Sequence, residues 1–263
     1  MGERRGAAVR AAAIVLGAGA CYCLWRLAAG GRQGQRNRAG AARNPPSDSS
    51  PPAPTHIMDV DALQKLIRLL QATDDPLIQE KALISLSNSA AFSVNQVYIT
   101  EVCRNVESAP LNSDLQLAGL RLLTNMSVTS DYHHKMINSI PCFLHLLSEG
   151  SERTQIQVLK VLVNLSANPA MTRYLLRAQV PSLLLLFDNC INRDILLRAL
   201  VFAANLKKNV NNEDGTMIQD EYSEDSIFFT LCRDTAPFAQ KLASLLHHPD
   251  AEVKEQVVRI LTQ

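Results

Sequence analysis

Four asparagines end four similar ten-residue segments of the chain, and their side chains have the chemistry to bind a peptide backbone. They are separated by 37, 39 and 41 residues, and they are Asn88, Asn125, Asn164 and Asn205. A carboxamide offers a donor and an acceptor together, so it can match both the N–H and the C=O group of an extended peptide. The same pattern fits a second interpretation, in which each asparagine caps or bridges helices inside the protein.

Basic residues accompany these asparagines. The positions four and seven residues before each asparagine lie within about 40° of it around a helix, so they share its face. These positions hold four cations, namely Lys81, Arg121, Lys160 and Arg198. A groove lined in this way would attract an acidic extended segment, whereas on the second interpretation the cations are only solvated surface groups.

The elements that carry these residues are predicted to be stacked helices. In every segment the residue five positions before the asparagine is leucine, and the one before it is small or β-branched, which makes an apolar stripe on a helix. The spacing is close to the roughly 40–47 residues of armadillo and HEAT arrays. We therefore predict an all-α α-solenoid of the armadillo or HEAT type over residues 58–263, with an acidic insertion at 207–225 and a last amphipathic helix at 251–261.

Several segments resemble the armadillo repeat-containing proteins of the mitochondria-anchored group. The similarity covers essentially the whole chain and is carried by Leu-Gln-Lys-Leu-Ile-Arg-Leu-Leu at 63–70, Ala-Leu-Ile-Ser-Leu-Ser-Asn at 82–88, Leu-Leu-Thr-Asn-Met-Ser at 122–127, Leu-Val-Asn-Leu-Ser-Ala-Asn-Pro at 162–169 and Gly-Ala-Gly-Ala-Cys-Tyr-Cys at 17–23. The chain departs from the group at Gln96, which runs straight into Val97 where one further repeat is expected. An in-phase omission would preserve the fold, and it leaves the length of the groove open.

The resemblance implies an armadillo-type solenoid, in which the third helix of each repeat lines a concave groove and the four asparagines bind an extended peptide. The nuclear-import receptors clamp lysine with a tryptophan four residues before the asparagine, and this chain has none there. A basic groove favours instead an acidic partner segment, as in the catenin type. The resemblance also implies roles in mitochondrial distribution and in cell growth and survival, with motor adaptors and a tumour-suppressor transcription factor as partners.

The head of the chain is predicted to be a transmembrane signal anchor. Residues 11–25 are an uncharged run, which becomes 23 residues at 7–29 if Arg10 and Arg26 extend toward the membrane interface. A helix needs about 20 residues to cross the hydrocarbon core. The head is therefore long enough to span a bilayer.

The residues that flank this run indicate its orientation. Tyr22 and Trp25 lie at one end, as amphipathic rings at a headgroup boundary would. Eight arginines and one acid lie within residues 1–44, and the arginine excess after the run places the bulk of the chain in the cytosol and residues 1–10 on the other side. A short anchor of this kind suits the mitochondrial outer membrane or the endoplasmic reticulum.

Three alternatives to the anchor stay open. They are a cleaved secretory signal, a mitochondrial matrix presequence, and a basic tail on a soluble nuclear transport or transcriptional cofactor. The arginines after the run oppose translocation, and an uncharged run of this length leaves no charged helix face for a presequence. Residues 30–57, first basic and then rich in proline and serine, are predicted to be a linker between the anchor and the solenoid.

Other classes of function are not favoured. The chain has no nucleotide-binding glycine motif, no nucleophile elbow and no zinc-protease motif, so we predict a protein that is not an enzyme and needs no cofactor. Residues 45–263 carry 18 basic and 24 acidic groups, which argues against a nucleic-acid partner. Cys142 and His145 supply only two of the four ligands that a tetrahedral metal site needs, so no metal is expected.

Some polar motifs are interpreted as structural. Asn125-Met-Ser127 and Asn164-Leu-Ser166 match glycosylation sequons but coincide with the repeat pattern. The cysteines of the body are expected to be reduced core residues. The adjacent pair His133 and His134 is expected at the surface.

Overall fold

The computed structural model describes residues 60–89, 98–180, 182–188, 191–212, 222–233 and 235–263. Within them the chain forms two 3₁₀ helices, Ser130–Ser139 and Leu183–Phe187, and eleven α helices: α1 (Val60–Ala72), α2 (Pro76–Ser89), α3 (Ile99–Ser108), α4 (Asp114–Met126), α5 (Ile140–Glu149), α6 (Glu152–Ser166), α7 (Pro169–Leu176), α8 (Arg193–Asn212), α9 (Ile227–Cys232), α10 (Ala236–Leu245) and α11 (Ala251–Leu261). These residues contain no strand, only one isolated β-bridge between Gln179 and Ser226. The prediction of an all-α fold is confirmed.

The helices pack in two layers along the solenoid. The motif helices α2, α4, α6 and α8, followed by α11, each pack against the next one in this order. A second layer covers them, with α1 on α2, α3 on α4, α5 on α6, the 3₁₀ helix Leu183–Phe187 on α8, and α10 on α11. Because equivalent faces repeat along the first layer, the stack presents one continuous row of helix faces.

The interruption of the repeat at Gln96 does not break this row. Residues 90–97 lie outside the described part of the chain, but α2 and α4 on either side of them pack directly against each other. The short connection enters α3, which belongs to the second layer. The motif helices therefore continue in phase past this point.

The apolar stripe explains why the helices stack. The leucines five positions before each asparagine are completely buried, and they are Leu83, Leu120, Leu159 and Leu200. The N-termini of α4, α6, α7 and α11 are capped by side chains that accept a backbone N–H two or three residues further on, namely Ser113, Ser151, Asn168 and Asp250. Such caps satisfy donors that a helix start leaves unpaired.

Gly119 allows α4 to approach α3 closely. A Cβ atom at this position would lie 2.5 Å from Val106 Cγ2, and Val106 is itself fully buried. A valine side chain in a helix has essentially one χ1 rotamer, so it cannot turn away.

We expect Gly119→Ala to lower the free energy of unfolding by about 1–2 kcal/mol. Overpacking costs about 1–3 kcal/mol, and a 2.5 Å approach to a fully buried valine belongs to the upper half of that range. The better helix propensity of alanine offsets roughly 1 kcal/mol of this cost. Urea denaturation followed by circular dichroism measures the change. The double variant Val106→Ala/Gly119→Ala regains the space, so its loss should be smaller than the sum of the two single losses. A Gly119→Ala protein as stable as the wild type would contradict the close approach.

Two predicted segments differ from the described helices or lie outside them. Helix α8 runs to Asn212, so residues 207–212 of the predicted acidic insertion continue this helix. No helix of the described residues combines the length and apolar character needed to cross a membrane. The predicted anchor at 11–25, with Arg10, Tyr22, Trp25 and Arg26, and the linker at 30–57 lie outside the described residues and stay predictions.

Candidate peptide-binding groove

Asparagine side chains connect each motif helix to the one before it. The Nδ2 atom of Asn125 donates to the Ser87 carbonyl oxygen at 3.3 Å and to Ser87 Oγ at 3.0 Å. Asn164 does the same one repeat later, donating to the Thr124 carbonyl oxygen at 3.3 Å and to Ser127 Oγ at 2.9 Å. The hydrogen bonds hold the C-terminal ends of α2, α4 and α6 together.

The third connection has the same form. Asn205 Nδ2 donates to the Val163 carbonyl oxygen at 3.4 Å and to Ser166 Oγ at 3.1 Å. In all three cases the carbonyl acceptor belongs to the residue immediately before the asparagine position of the previous segment. We call Asn125, Asn164 and Asn205 the asparagine ladder.

The nitrogen and the oxygen of the ladder carboxamides differ in their hydrogen bonding. The donor ends bridge the repeats, as the second interpretation of the sequence requires. Within the described part of the chain, the Oδ1 atoms of Asn125 and Asn164 have no hydrogen-bond partner. A peptide N–H group is the complement that such an acceptor needs. Peptide binding by these asparagines stays a prediction and is restricted to their oxygen atoms; the side chain of Asn88 lies outside the described atoms.

Asn205 differs because its oxygen is already engaged. Arg259 Nη2 of α11 donates to Asn205 Oδ1 at 3.0 Å. With the Gln263 carboxamide in the orientation that satisfies both of its neighbours, its nitrogen donates to the Ala204 carbonyl oxygen at 2.8 Å. Gln263 thus makes the next step of the ladder, and the position at Asn205 is occupied from within the protein.

Three of the predicted cations lie close together on consecutive helices. Burial lowers the pKa of Lys160 on α6, and the charges of Arg198 on α8 and Arg121 on α4 lower that pKa further, while Asp194 raises it. Arg198 Nη1 lies 3.1 Å from Asp194 Oδ1 and donates to the Asp194 carbonyl oxygen at 2.7 Å. We call Arg121, Lys160 and Arg198 the basic cluster; with Asp194 it carries a net charge of +2.

The residue four positions before the asparagine is a cation on α4 and α6 but is apolar on α2 and α8, at the two ends of the row. On α2, Lys81 is exposed, and so is Ile84, which stands four residues before Asn88. On α8 the equivalent position is Val201, which is buried. The four predicted cations are thus all on the motif helices, and the charges of Arg121 and Arg198 act on Lys160 between them.

The serine partners of the ladder were missed by the sequence analysis. Ser127 and Ser166 are buried, and their hydroxyls accept from the asparagine of the following repeat. The signal that could have found them is the recurrent Asn-x-Ser pattern, in which the serine belongs to the repeat contact.

Three body cysteines are free thiols, namely Cys103, Cys142 and Cys232. Burial is the largest cause that raises the pKa of Cys103 and of Cys142 to about 11. Neither thiol is ionised at neutral pH, so neither acts as a nucleophile there. Among the described residues no cluster of three or more metal-ligating side chains occurs.

His133 is buried, and its expected surface position is wrong. Its side chain is 3% exposed, with Nε2 2.7 Å from the Ser127 carbonyl oxygen and Nδ1 3.1 Å from Asn168 Nδ2. A neutral ring with its proton on Nε2 satisfies both neighbours, whereas a second proton on Nδ1 would face the Asn168 amide group. Burial lowers the pKa of His133 below 6.5.

We expect this histidine to make the protein less stable in mild acid. Because its pKa is lower in the folded state, the unfolded chain binds more protons just below pH 6.5, so stability falls as the pH drops through that range, by up to about 1.4 kcal/mol per pH unit. Thermal unfolding at pH 7.5 and pH 5.5 compares the wild type with His133→Gln, which cannot titrate. Between pH 7.5 and pH 5.5 the melting temperature of the variant should fall less than that of the wild type. Equal falls in melting temperature would exclude His133 as the cause.

The two layers of stacked helices and the asparagine ladder define a helical-repeat protein. The chain belongs to the armadillo-like family, whose pattern matches residues 58–102 and 96–233. The two matched segments overlap at the place where the sequence analysis finds the repeat interrupted.

Solved structures agree with this fold. A designed armadillo repeat protein in complex with the peptide (KR)4 is 16% identical, with a TM-score of 0.59 over 77% of this chain and 81% of the other. A computationally designed armadillo repeat protein for modular peptide recognition is 19% identical, with a TM-score of 0.61 over 77% of this chain and 82% of the other. At such identities the likeness concerns the fold.

Proposed function

We propose that this protein is a scaffold whose groove binds extended acidic segments of partner proteins. The observation that carries the proposal is the basic cluster, whose three cations lie on α4, α6 and α8, motif helices that pack against one another in turn. The effect of Arg121 and Arg198 on the pKa of Lys160 agrees with this arrangement. Like charges held together cost free energy, and an acidic ligand relieves that cost. The Oδ1 atoms of Asn125 and Asn164, which accept no hydrogen bond from the described residues, supply acceptors for the ligand backbone beside these charges.

A peptide-binding experiment tests this function. The 263-residue chain is purified in a mild nonionic detergent and titrated into three fluorescent peptides of equal length. The peptides differ only in the residue at the same set of positions, which is glutamate, glutamine or lysine. The glutamate peptide should bind best, and its affinity should fall as salt is raised. Equal binding of the three peptides, or binding of none, would contradict the proposal.

We further propose that residues 11–25 anchor this scaffold in the mitochondrial outer membrane or the endoplasmic reticulum, with the groove in the cytosol. The support is the uncharged run and its arginine flanks. The resemblance to the mitochondria-anchored group adds the proposed roles in mitochondrial distribution, growth and survival, and the proposed partners, motor adaptors and a tumour-suppressor transcription factor.

Alkaline carbonate extraction of cell membranes tests the anchor. An integral anchor keeps the protein in the pellet, whereas a soluble nuclear cofactor with a basic tail is released. A chain in which Leu16 and Leu24 are replaced by arginine is the matched control and should be released. Release of the wild type would end the anchor proposal and leave the groove proposal standing.

A further inference from the structure

The basic cluster covers only the middle of the row of motif helices. On its α2 side, Ile84 occupies the position that Arg121 and Lys160 hold on the next two helices. The exposed face of α2 is therefore mixed, with apolar side chains beside the cation Lys81. Leu77 lies on the same face of α2, two turns before Ile84. Their side chains are 65% exposed at Leu77 and 39% exposed at Ile84.

The α8 side of the row exposes no apolar side chain at this position. Val201, at the equivalent position, is buried, and Asn205 Oδ1 accepts from Arg259 of α11. An extended ligand that follows the row therefore meets the basic cluster at its centre. Toward α2 it meets exposed apolar side chains beside Lys81, and toward α11 it meets an asparagine whose oxygen is already hydrogen-bonded.

The spacing of the helices sets the spacing of the ligand side chains. Packed helices lie about 8–10 Å apart, and two residues of an extended chain span about 7 Å and point the same way. Side chains two positions apart in the ligand can thus reach neighbouring motif helices. Two acids reach Lys160 and Arg121, and the next side chain on the same face reaches Ile84.

We infer that the ligand combines an acidic pair with one apolar residue: two acids two positions apart, and the apolar side chain two positions from the acid that meets Arg121. This inference rests on the proposed function and specifies its ligand. The acids neutralise the basic cluster, and the apolar side chain covers Ile84 and Leu77, removing their exposed surface from water.

The inference is tested by measuring the affinities of three fluorescent peptides for the 263-residue chain in detergent. One carries Glu-Ser-Glu flanked by serines, and two add a leucine two positions before or after that pair. In the wild type, one of the leucine peptides should bind about fivefold more tightly than the acid-only peptide, and the preferred order gives the direction of the ligand. The double variant Leu77→Ser/Ile84→Ser should remove this gain and leave the acid-only affinity unchanged. Leu185→Ser, at a 59% exposed leucine of the second layer, is the matched control and should keep the gain.

The outcomes separate the two proposals. If no peptide binds the wild type, the proposed function fails. If the acid-only peptide binds and leucine adds nothing in either order, the acidic groove stands and the apolar anchor is refuted. A leucine gain that survives in Leu77→Ser/Ile84→Ser would also overturn it, because the apolar contact would then lie elsewhere.

Discussion

Replacing Arg121 and Lys160 together by glutamate is expected to lower the affinity for acidic peptides about a hundredfold. Each substitution removes a charge-assisted hydrogen bond that contributes about 1.5 kcal/mol, and the two losses together correspond to roughly that factor. Repulsion between the new carboxylates and the ligand adds to the effect. Fluorescence anisotropy with the glutamate peptide measures the affinity of both proteins.

The same double substitution should leave thermal stability unchanged or slightly higher. In the wild type the charges of Arg198 and Arg121 already lower the pKa of Lys160, so removing like charges relieves repulsion in the folded state. The control is Lys65→Glu/Arg68→Glu on α1, which makes the same change in charge at exposed positions of the second layer. A control that loses as much affinity as Arg121→Glu/Lys160→Glu would mean that net charge, and not the groove, governs binding.

The largest loss of stability is expected for Asn164→Asp. The substitution keeps the shape of the side chain and replaces the Nδ2 donor with a second oxygen, which faces the Thr124 carbonyl oxygen across 3.3 Å. Asn164 is buried, so the carboxylate loses most of its hydration, and a hydrogen bond from the Ser127 hydroxyl 2.9 Å away replaces only part of it. The free energy of unfolding should fall by about 3 kcal/mol, and urea denaturation at pH 7.5 measures it.

The pH dependence of this variant gives a second test. A buried carboxylate has a raised pKa in the folded state, so the penalty is largest above that pKa and shrinks as the pH falls through it. The difference in the free energy of unfolding between Asn164→Asp and the wild type should therefore become smaller in acid. The matched control is Asn125→Asp, at the half-buried step of the ladder. Its free energy of unfolding should fall less than that of Asn164→Asp. Equal stability of Asn164→Asp and the wild type would show that the ladder does not hold the repeats together.

The helical stack could be predicted from the sequence because its cause is local and repeated. Leu83, Leu120 and Leu159 recur at one position of one helix face, and all are buried where the period requires. Their burial depends only on helix geometry and on each repeat meeting a neighbour like itself. The short cap residues, such as Ser113 and Asn168, follow from the same local rules.

The candidate site was predictable only in part. The position of Arg121, Lys160 and Arg198 on one face follows from residue spacing, whereas their mutual approach depends on how closely α4, α6 and α8 pack. His133 shows the opposite case: its neighbours along the chain are polar, yet contacts with Ser127 and Asn168 bury it. The contact with Asn168 joins residues 35 positions apart in the chain, and no helix periodicity indicates it.

A helical solenoid with asparagines and cations on one face follows from the amino-acid pattern alone, because helix periodicity assigns each residue to a face without reference to distant parts of the chain. The role of each carboxamide depends instead on how the helices pack. A donor finds its acceptor only when two helices lie side by side, so the packing directs the Nδ2 atoms of Asn125 and Asn164 into the protein and leaves their oxygens unpaired within the described residues. The same packing engages the oxygen of Asn205 with Arg259.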